Sequence, residues 1–486
     1  MFGSKKDSLW RIVVCTIVLV PLMLAACGGT PETIVQTVEV EKTVVETVEV
    51  QTEVEVVVTA TPEPAAETLP YGLTPGKPYD GQKITVLMTG IVPQYQAMIN
   101  RSAEFTELTG IEVAYEMVPW ASLTEKVTTD GIAQAGAFDL YPYLDAWGPS
   151  LAPFMLPLDD LIAEAGIDWA DFPQAYKDGA CYADGNCYGI PLRGHPQLLM
   201  YRKDIFDNLG LTPPTNFAEL EEDSKVIQEN TDLYGFSICY GTGTGGQNLM
   251  TWVPFLWGNG SDIFDENWEP IFNNDAGVEA TQRHVDLLLK EEIVPPASIA
   301  WGEPEMANSV RQGESAMFMS WWWLLPSFDD PEQSVEEVVG NVTFAPPPGW
   351  EGKETVPYAL SLPIGINKFS KSPEAAWEYI KMMTDASVDK DRVMDKSDPE
   401  TSTVVAVHLS VLRDPEVNAI SGGMHEAGAE SLSQAKIMPM IPEWPEVSSV
   451  LESAIQEMAT GAPVKETLDR AAEEVRDIMD RAGYYD

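Results

Sequence analysis

The chain has 486 residues, 44% of them hydrophobic, and a formal net charge of −47. This length is enough for two or three domains, and the apolar fraction is that of a globular protein rather than a disordered one. A negative field of this size repels nucleic acid and anionic lipid headgroups, so we expect no nucleic-acid partner. An acidic surface fits a solvated secreted protein, but it does not indicate which substrate the protein binds.

The first 27 residues have the layout of a secretory leader. Three basic residues precede an apolar run from Ile12 to Ala26, which is too short, and too soon followed by two glycines, for a good transmembrane helix. The run ends in Leu24-Ala25-Ala26-Cys27, which resembles the lipobox of bacterial lipoproteins, where the cysteine is acylated and becomes the mature N-terminus. We predict a signal peptide over 1–27 and a lipid anchor at Cys27 that holds the protein to the cell membrane. The alternative is an ordinary signal peptide with an incidental cysteine.

Residues 28–78 are predicted to be a disordered tether. From Thr30 to about Thr68 the segment consists mostly of Thr, Val, Glu and Pro, and Thr-Val-Glu-Val occurs at both 37–40 and 47–50. A single strand there would have no partner, and no apolar heptad persists for a coiled coil. We expect an extended, self-repelling connection to a folded body that begins near Tyr79.

Two cysteines, Cys181 and Cys187, flank a short turn sequence. In an oxidising compartment such a pair favours a local disulfide. A metal-binding pair is the alternative, but the nearest histidine is His195 and the sequence has no second close cysteine pair, so we predict no metal site. Cys239 is then left as a buried free thiol.

Alternating strands and helices begin the folded body. The strands are predicted at Lys83–Met88, Ile111–Met117 and Asp139–Leu144. The helices between them are predicted to end at Thr109 and to run from Ala121 to Ala135. This order predicts a parallel α/β sheet. Such sheets bind ligands at the carboxyl ends of their strands, which here are the segments Thr89–Tyr95 and Asp145–Trp147.

A second α/β series follows. Its strands are predicted at Leu198–Arg202, Ser315–Ser320 and Val342–Phe344, with a helix from Asn216 to about Glu229. Ser372-Pro373 is a favourable start for a later helix. Apolar residues spaced three and four apart between Val464 and Ala482 predict an amphipathic closing helix.

Several segments of the body occur in a recognisable order. They are Phe105–Val113, Gly189–Phe206 with Leu209–Pro214, Arg311–Trp321, Ser370–Ile380 and Lys436–Trp444. Behind a lipobox, this series resembles the extracellular solute-binding proteins of ABC importers, specifically the sugar-type, maltose-binding-protein-like branch of family 1. The resemblance extends from Lys83 to Tyr485.

The resemblance implies a two-lobe α/β fold of the periplasmic-binding-protein type II, with a ligand cleft between two domains. The hinge crossings that join the domains are expected near Pro191–Arg193, Tyr358–Leu362 and Leu412–Glu416. The first lobe is then 79–190 with 362–412, and the second is 191–361 with 413–486. Hinge closure around a ligand is the expected motion.

The same resemblance implies a function. The protein is expected to capture a carbohydrate, which is a sugar, an oligosaccharide or a polyol, and to deliver it to ABC permease subunits driven by a separate ATPase. We expect a monomer outside the cytoplasm, with no catalytic activity and no cofactor. The segment Pro191–Tyr201 looks most like the polyol and disaccharide binders.

Sugars need flat aromatic faces for stacking and polar groups around the rim of the ring. On a strand, Trp321 and Trp323 would share one face, towards the cleft, and Trp322 would take the other. The other aromatic candidates, each either a stacking platform or ordinary packing, are Trp147, Trp257, Trp301 and Trp444.

The polar candidates lie near the strand ends and the crossings. Asp145, which follows the third strand, is the preferred carboxylate, and the alternative is that it caps the helix that follows. Arg193 and His195 come just past the first crossing, and a single histidine is more often satisfied by a neighbour than used for binding. Tyr95 and Tyr358 complete the set.

Two other functional interpretations remain. Gly241–Gly246 matches GxGxxG, but Trp252, Pro254 and Gly258 interrupt the unit that a dinucleotide fold needs, so we expect a flexible loop at the cleft mouth. A secreted glycoside hydrolase also has an acidic, aromatic cleft, and the tether suggests a carbohydrate adhesin. The transporter-like segments around Arg193 and Trp321 favour a binding protein over both.

Overall fold

One long strand, Ile190–Arg202, connects the two halves of the sheet in the computed structural model of the protein. The structure describes residues 68–90, 93–182, 185–243, 246–396 and 405–485. The predicted leader, Cys27 and the predicted tether up to residue 67 lie outside the described residues.

The described strands form one mixed sheet. They are β1 (Lys83–Met88), β2 (Glu112–Met117), β3 (Leu140–Pro142), β4 (Ile190–Arg202), β5 (Tyr234–Ser237), β6 (Ser315–Trp321), β7 (Val342–Ala345) and β8 (Ala359–Ile366). Their order is β2-β1-β3-β8-β4-β6-β5, and β7 also pairs with β4. The prediction of a parallel sheet is right for β1 with β2 and β3 and for β5 with β6. Strands β4 and β8, for which the sequence analysis predicted no direction, pair antiparallel to each other and to their other neighbours because they run between the lobes in opposite directions.

Helices surround this sheet. They are α1 (Pro93–Asn100), α2 (Ser102–Thr109), α3 (Leu123–Ala133), α4 (Gly148–Leu151), α5 (Asp159–Ala165), α6 (Gln174–Asp178), α7 (Lys203–Leu209), α8 (Phe217–Asn230), α9 (Gln247–Gly258), α10 (Asp275–Leu289), α11 (Glu303–Arg311), α12 (Leu325–Phe328), α13 (Pro373–Met383), α14 (Ala386–Met394), α15 (Leu409–Leu412), α16 (Pro415–Ser421), α17 (Met424–Leu432), α18 (Trp444–Ala459) and α19 (Val464–Arg481). Gly110 ends α2 at a φ of 77°, a conformation that favours glycine. Within the described ranges, none of these helices has the length and apolar character needed to cross a bilayer.

Buried side chains form two large clusters that define the lobes. The first-lobe core gathers side chains from β1, β3, β8, α13 and the start of β4. The second-lobe core gathers side chains from β5, β6, α9, α10, α18 and α19. Strands β4 and β8 therefore connect two separate apolar cores, which is the two-lobe arrangement that the sequence predicts.

The folded body begins earlier than Tyr79. Leu73 is buried in the first-lobe core. The Tyr71 hydroxyl donates to Glu104 Oε1 at 2.8 Å, and the backbone N–H of Thr74 donates to Glu378 Oε2 at 3.0 Å. The last ten residues assigned to the tether thus contain side chains that pack on the first lobe, because an apolar surface is available to them there.

Core membership also locates the last passage between the lobes. Val417 and Leu432, from α16 and α17, are buried in the first-lobe core. Met438 and Ile441 are buried in the second-lobe core. The chain therefore passes between the cores after Leu432, and the sequence-based position of Leu412–Glu416 lies among helices that still belong to the first lobe.

Candidate ligand cleft between the lobes

Gln197 of β4 forms hydrogen bonds with the residue that directly precedes β8, the other crossing strand. Its backbone N–H donates to the carbonyl of Tyr358 at 3.2 Å, and its side-chain Oε1 accepts from the backbone N–H of Tyr358 at 3.1 Å. Its Nε2 donates to the carbonyl of Met250 at 2.8 Å, and its own carbonyl accepts from Ser431 Oγ at 2.8 Å. This fully buried amide, which sequence reasoning missed, links β4, β8, α9 and α17 at the hinge.

Asp145 lies at the carboxyl end of β3, where the sequence places it. Its Oδ1 accepts from the backbone N–H of Ala146 and its Oδ2 from the backbone N–H of Ser361 in β8, both at 2.7 Å. The carboxyl group is buried, and desolvation raises its pKa to about 7 although both hydrogen bonds favour the charged form. Asp145 thus holds the first-lobe loop to a hinge strand, and it does not cap the helix that follows, whose N-cap residue is Trp147.

Trp147 has an aromatic partner that the sequence analysis did not select. Its ring and that of Trp120 are tilted by 49° with centroids 4.6 Å apart. Trp147 is half-buried, and Trp120 is 43% exposed. Trp120 follows the carboxyl end of β2, so the rule that selected Asp145 and Trp147 would have selected it too. The pair forms an accessible aromatic surface on the first lobe.

Arg193 and Tyr95 are brought together at the same sheet edge. Tyr95 lies in α1, just after the end of β1, and its hydroxyl is close enough to the Arg193 guanidinium for the two groups to interact. Burial lowers the pKa of Arg193 because it disfavours the charged form, and the contact with Tyr95 partly offsets this effect. The two predicted residues therefore form one polar unit on the hinge strand.

His195 has a packing partner. Its Nδ1 accepts a hydrogen bond from Trp322 Nε1 at 2.9 Å, and both side chains are buried. Burial and the nearby charge of Arg193 lower the pKa of His195 well below its usual value, so the imidazole is neutral. This places His195 in the packed hinge rather than on an accessible wall.

The predicted alternation of the three tryptophans is wrong. Strand β6 ends at Trp321, and a 3₁₀ turn begins at Trp322, so the period of two stops there. Trp321 packs in the second-lobe core and Trp322 in the first-lobe core, whereas Trp323 is 42% exposed. Of the three, only Trp323 offers an open ring face.

A second group of predicted residues meets at the hinge side of the second lobe. Tyr358 makes edge contacts with Trp321 at 5.2 Å and with Trp257 at 6.3 Å. Trp257 Nε1 donates to Asp262 Oδ1 at 2.8 Å. These three aromatic residues, and Trp444 at the start of α18, belong to the second-lobe core and keep only small exposed edges. Trp301 is half-buried, and its carbonyl accepts from Gly241 N–H at 2.9 Å.

The glycine-rich turn does open a helix, contrary to the sequence analysis, because α9 begins directly after Gly246. A carboxylate already approaches this turn: Glu452 Oε2 accepts from the backbone N–H of Gly243 at 3.2 Å. An anionic side chain at this position repels the phosphates that a dinucleotide would bring. Residues 244 and 245 lie outside the described part of the turn.

The cysteines among the described residues have structural roles. Cys181 and Cys187 form a disulfide, and Cys239 is a buried free thiol. The hydroxyl of Tyr182, next to the disulfide, donates to the Tyr143 hydroxyl at 3.0 Å. Among the described residues, no group of His, Cys, Asp and Glu side chains is arranged to hold a metal ion.

Two α/β lobes with separate cores, joined by antiparallel crossing strands and lined by aromatic and polar side chains at the strand ends, define a solute-binding protein of the periplasmic type. Residues 88–390 match the model of the bacterial extracellular solute-binding protein family. The chain belongs to this family.

Individual relatives cover most of the chain. A probable amino-acid ABC transporter periplasmic-binding protein of Sinorhizobium fredii is 28% identical over 367 residues, which are 73% of this chain and 77% of that protein. A galactooligosaccharide-binding protein of Bacillus subtilis is 23% identical over 377 residues, 76% of this chain and 84% of that protein. The crystal structure of an ABC transporter solute-binding protein of Agrobacterium radiobacter in complex with ribitol is 25% identical, with a TM-score of 0.65, and the match covers 83% of this chain and 100% of that one.

Proposed function

We propose that this solute-binding protein captures a carbohydrate, which is a sugar, an oligosaccharide or a polyol, and delivers it to the permease subunits of an ABC importer with a separate ATPase. The observation that carries the proposal is the accessible Trp120–Trp147 pair at the carboxyl ends of first-lobe strands. An exposed aromatic pair at this sheet edge has the flat apolar surface that a sugar ring or polyol chain stacks on. The ribitol complex and the galactooligosaccharide-binding relative support the same ligand class.

The remaining site residues take different parts in this proposal. Trp323 and Trp301 face the ligand from the second lobe, and Tyr95 with Arg193 binds its polar rim. Trp257, Trp321, Tyr358 and Trp444 contribute the edges that stay exposed, while Asp145 and His195 maintain the geometry of the hinge.

The proposal also includes the location of the protein. Residues 1–27 are its leader, and acylated Cys27 anchors a monomer to the outer face of the cell membrane. Binding is its whole biochemical task, so the captured solute leaves chemically unchanged.

Calorimetric titration of the chain from Gly28 onwards tests the ligand class. The panel contains sugars, polyols and oligosaccharides, and also amino acids because of the name of the Sinorhizobium relative. A ligand at one hundred times its Kd stabilises the folded form by about 2.7 kcal/mol, so thermal unfolding provides a parallel readout. Tight binding of one carbohydrate class, with no product on chromatography, is the expected result. Turnover indicates a glycoside hydrolase, and binding of amino acids alone rejects the carbohydrate assignment.

A matched pair of variants locates the site. Trp120→Ala weakens binding of the identified ligand at least tenfold, because a stacking face worth about 1.4 kcal/mol or more is lost. Trp169→Ala is the control, since Trp169 contacts Phe172 on the first lobe instead of the Trp120–Trp147 pair. Equal effects of the two substitutions would show that the aromatic pair is not the binding surface.

A further inference from the structure

Arg193 is the one residue of the stretch 190–196 of β4 that keeps partial exposure. Its guanidinium contacts the Tyr95 hydroxyl, and no carboxylate of the described residues forms an ion pair with it. Three other arginines differ in this respect, whereas the half-buried Arg311 likewise donates to a hydroxyl, that of Ser327, and forms no ion pair with a described carboxylate. Arg202, Arg283 and Arg392 lie 2.6, 2.7 and 3.2 Å from a carboxylate oxygen. Arg193 is therefore a partly buried positive charge with which no described carboxylate forms an ion pair.

No carboxylate of the described residues lies within ion-pair distance of Arg193. His195, two residues along the strand, is neutral, and its Nε2 has no hydrogen-bond partner among the described residues. Both oxygens of Asp145, the predicted carboxylate of this edge, accept from backbone N–H groups of Ala146 and Ser361. Tyr95 offers a hydroxyl rather than a carboxylate.

Closure of the lobes would remove water from the Arg193 guanidinium, which is unfavourable for a charge without a partner of opposite sign. A guanidinium removed from water costs several kcal/mol unless an opposite charge in good geometry replaces the lost hydration. A hydroxyl can accept a hydrogen bond from it but leaves the charge uncompensated. A carboxylate or phosphate accepts two parallel N–H donors of the guanidinium and neutralises it. The acidic surface of the protein repels an anion only within the Debye length of about 8 Å. Inside the cleft, the charge of Arg193 therefore determines whether an anion is attracted.

We propose that the natural ligand carries an anionic group, a carboxylate or a phosphate ester, that pairs with Arg193 when the lobes close. This inference rests on the proposed function and narrows it from neutral sugars and polyols to acidic ones.

Matched ligands test the charge directly in the unmodified chain from Gly28 onwards. The carboxylate arm compares glucuronate with glucose and gluconate with sorbitol, and the phosphate arm compares glucose 6-phosphate with glucose. We expect the acidic member of one arm to bind at least tenfold more tightly than its neutral counterpart, and its affinity to fall as salt is raised. The arm that shows the preference identifies the anion.

Variants assign the preference to one side chain. Arg193→Gln is expected to reduce the affinity for the acidic ligand at least tenfold and to remove the salt dependence, and Arg193→Lys to retain part of both. Arg413→Gln is the control, since Arg413 is exposed. If Arg193→Gln does not fold, as judged by thermal unfolding, the comparison of matched ligands with the unmodified chain decides alone.

Three outcomes overturn the inference. Neutral ligands that bind as tightly as the acidic ones, or better, reject it while leaving the proposed carbohydrate-binding function intact. Binding of no carbohydrate, acidic or neutral, rejects the proposed function together with the inference. An acidic preference that survives Arg193→Gln assigns the anion to another residue and also rejects it.

Discussion

Trp322 Nε1 donates a hydrogen bond to His195 Nδ1 at 2.9 Å, although Trp322 directly follows a strand of the second lobe and its indole is buried in the first-lobe core. The ring lies against Gly428 of α17, where even a Cβ atom would come within 2.4 Å of Trp322 Cζ3. One side chain thus joins the chain after β6, the hinge strand β4 and a first-lobe helix.

Trp322→Phe is expected to lower the free energy of unfolding by about 3 kcal/mol. The substitution leaves Nδ1 of the buried His195 without its donor and creates a cavity next to Gly428. Denaturation with urea measures the change. The control is Trp323→Phe, at a 42% exposed position, which we expect to change stability by about 0.5 kcal/mol or less. Similar values for both variants would contradict a structural role for the Trp322–His195 contact.

Asp145→Asn is expected to change how stability depends on pH. An aspartate has a pKa of about 3.9 in an unfolded chain, whereas burial raises that of Asp145 to about 7 in the fold. Between these values the folded state binds more protons than the unfolded state, so the wild type loses stability as the pH rises from about 4 to 7. The variant lacks this loss, and its stability relative to wild type should rise by up to about 4 kcal/mol across the window.

Urea denaturation at several pH values between 4 and 8 measures this difference. Asp160→Asn, at an exposed position in α5, serves as the control and should show a nearly constant difference from wild type. A constant difference for Asp145→Asn as well would mean that its carboxyl group does not titrate in this range.

The strands and the two-lobe organisation could be predicted because they depend on local signals. The apolar run of β1 and the glycine that ends α2 each determine their own element. The first two predicted crossings lie in or beside β4 and β8, but the last passage between the lobes comes later than predicted. Strand β3 is shorter than predicted and β4 longer, because pairing with β8 sets their ends.

The contacts of the site depend on distant parts of the chain and were harder to predict. No period in the sequence shows that alternation stops at Trp321, because the turn that begins at Trp322 is determined by packing against His195 and Gly428. Gln197 looks like an ordinary polar residue until β8 lies beside it. Trp120, in contrast, follows the end of a predicted strand. The rule that ligands bind at the carboxyl ends of parallel strands could therefore have selected it.

Gln197→Leu is expected to destabilise the protein by about 3 kcal/mol. The buried N–H of Tyr358 and the carbonyl of Met250 would each lose a partner that a leucine cannot replace. Gln282→Leu is the control, because Gln282 is exposed on α10 and bonds only to Asp286 of the same helix among the described residues. A loss of less than about 1 kcal/mol for Gln197→Leu would show that the hinge strands are held mainly by their backbone pairing.

Replacing both Cys181 and Cys187 by serine is expected to cost about 2 kcal/mol, the entropy of closing a short loop in the unfolded chain. It should also weaken ligand binding, because the disulfide adjoins Tyr182, whose hydroxyl lies against Gly148, next to Trp147. Thermal unfolding and titration with the identified ligand measure both effects. Reductant should shift the wild type towards the double variant and leave the double variant unchanged. Insensitivity of the wild type to reductant and to the substitutions would contradict this role.

A solute that is enclosed between the two lobes brings them closer together. Small-angle X-ray scattering of the chain from Gly28 onwards, with and without a saturating ligand from the titration panel, measures this closure. The radius of gyration is expected to fall when the ligand binds, and Trp147→Ala is expected to need a higher ligand concentration for the same fall. A ligand that binds tightly while the radius of gyration stays constant would contradict capture by lobe closure.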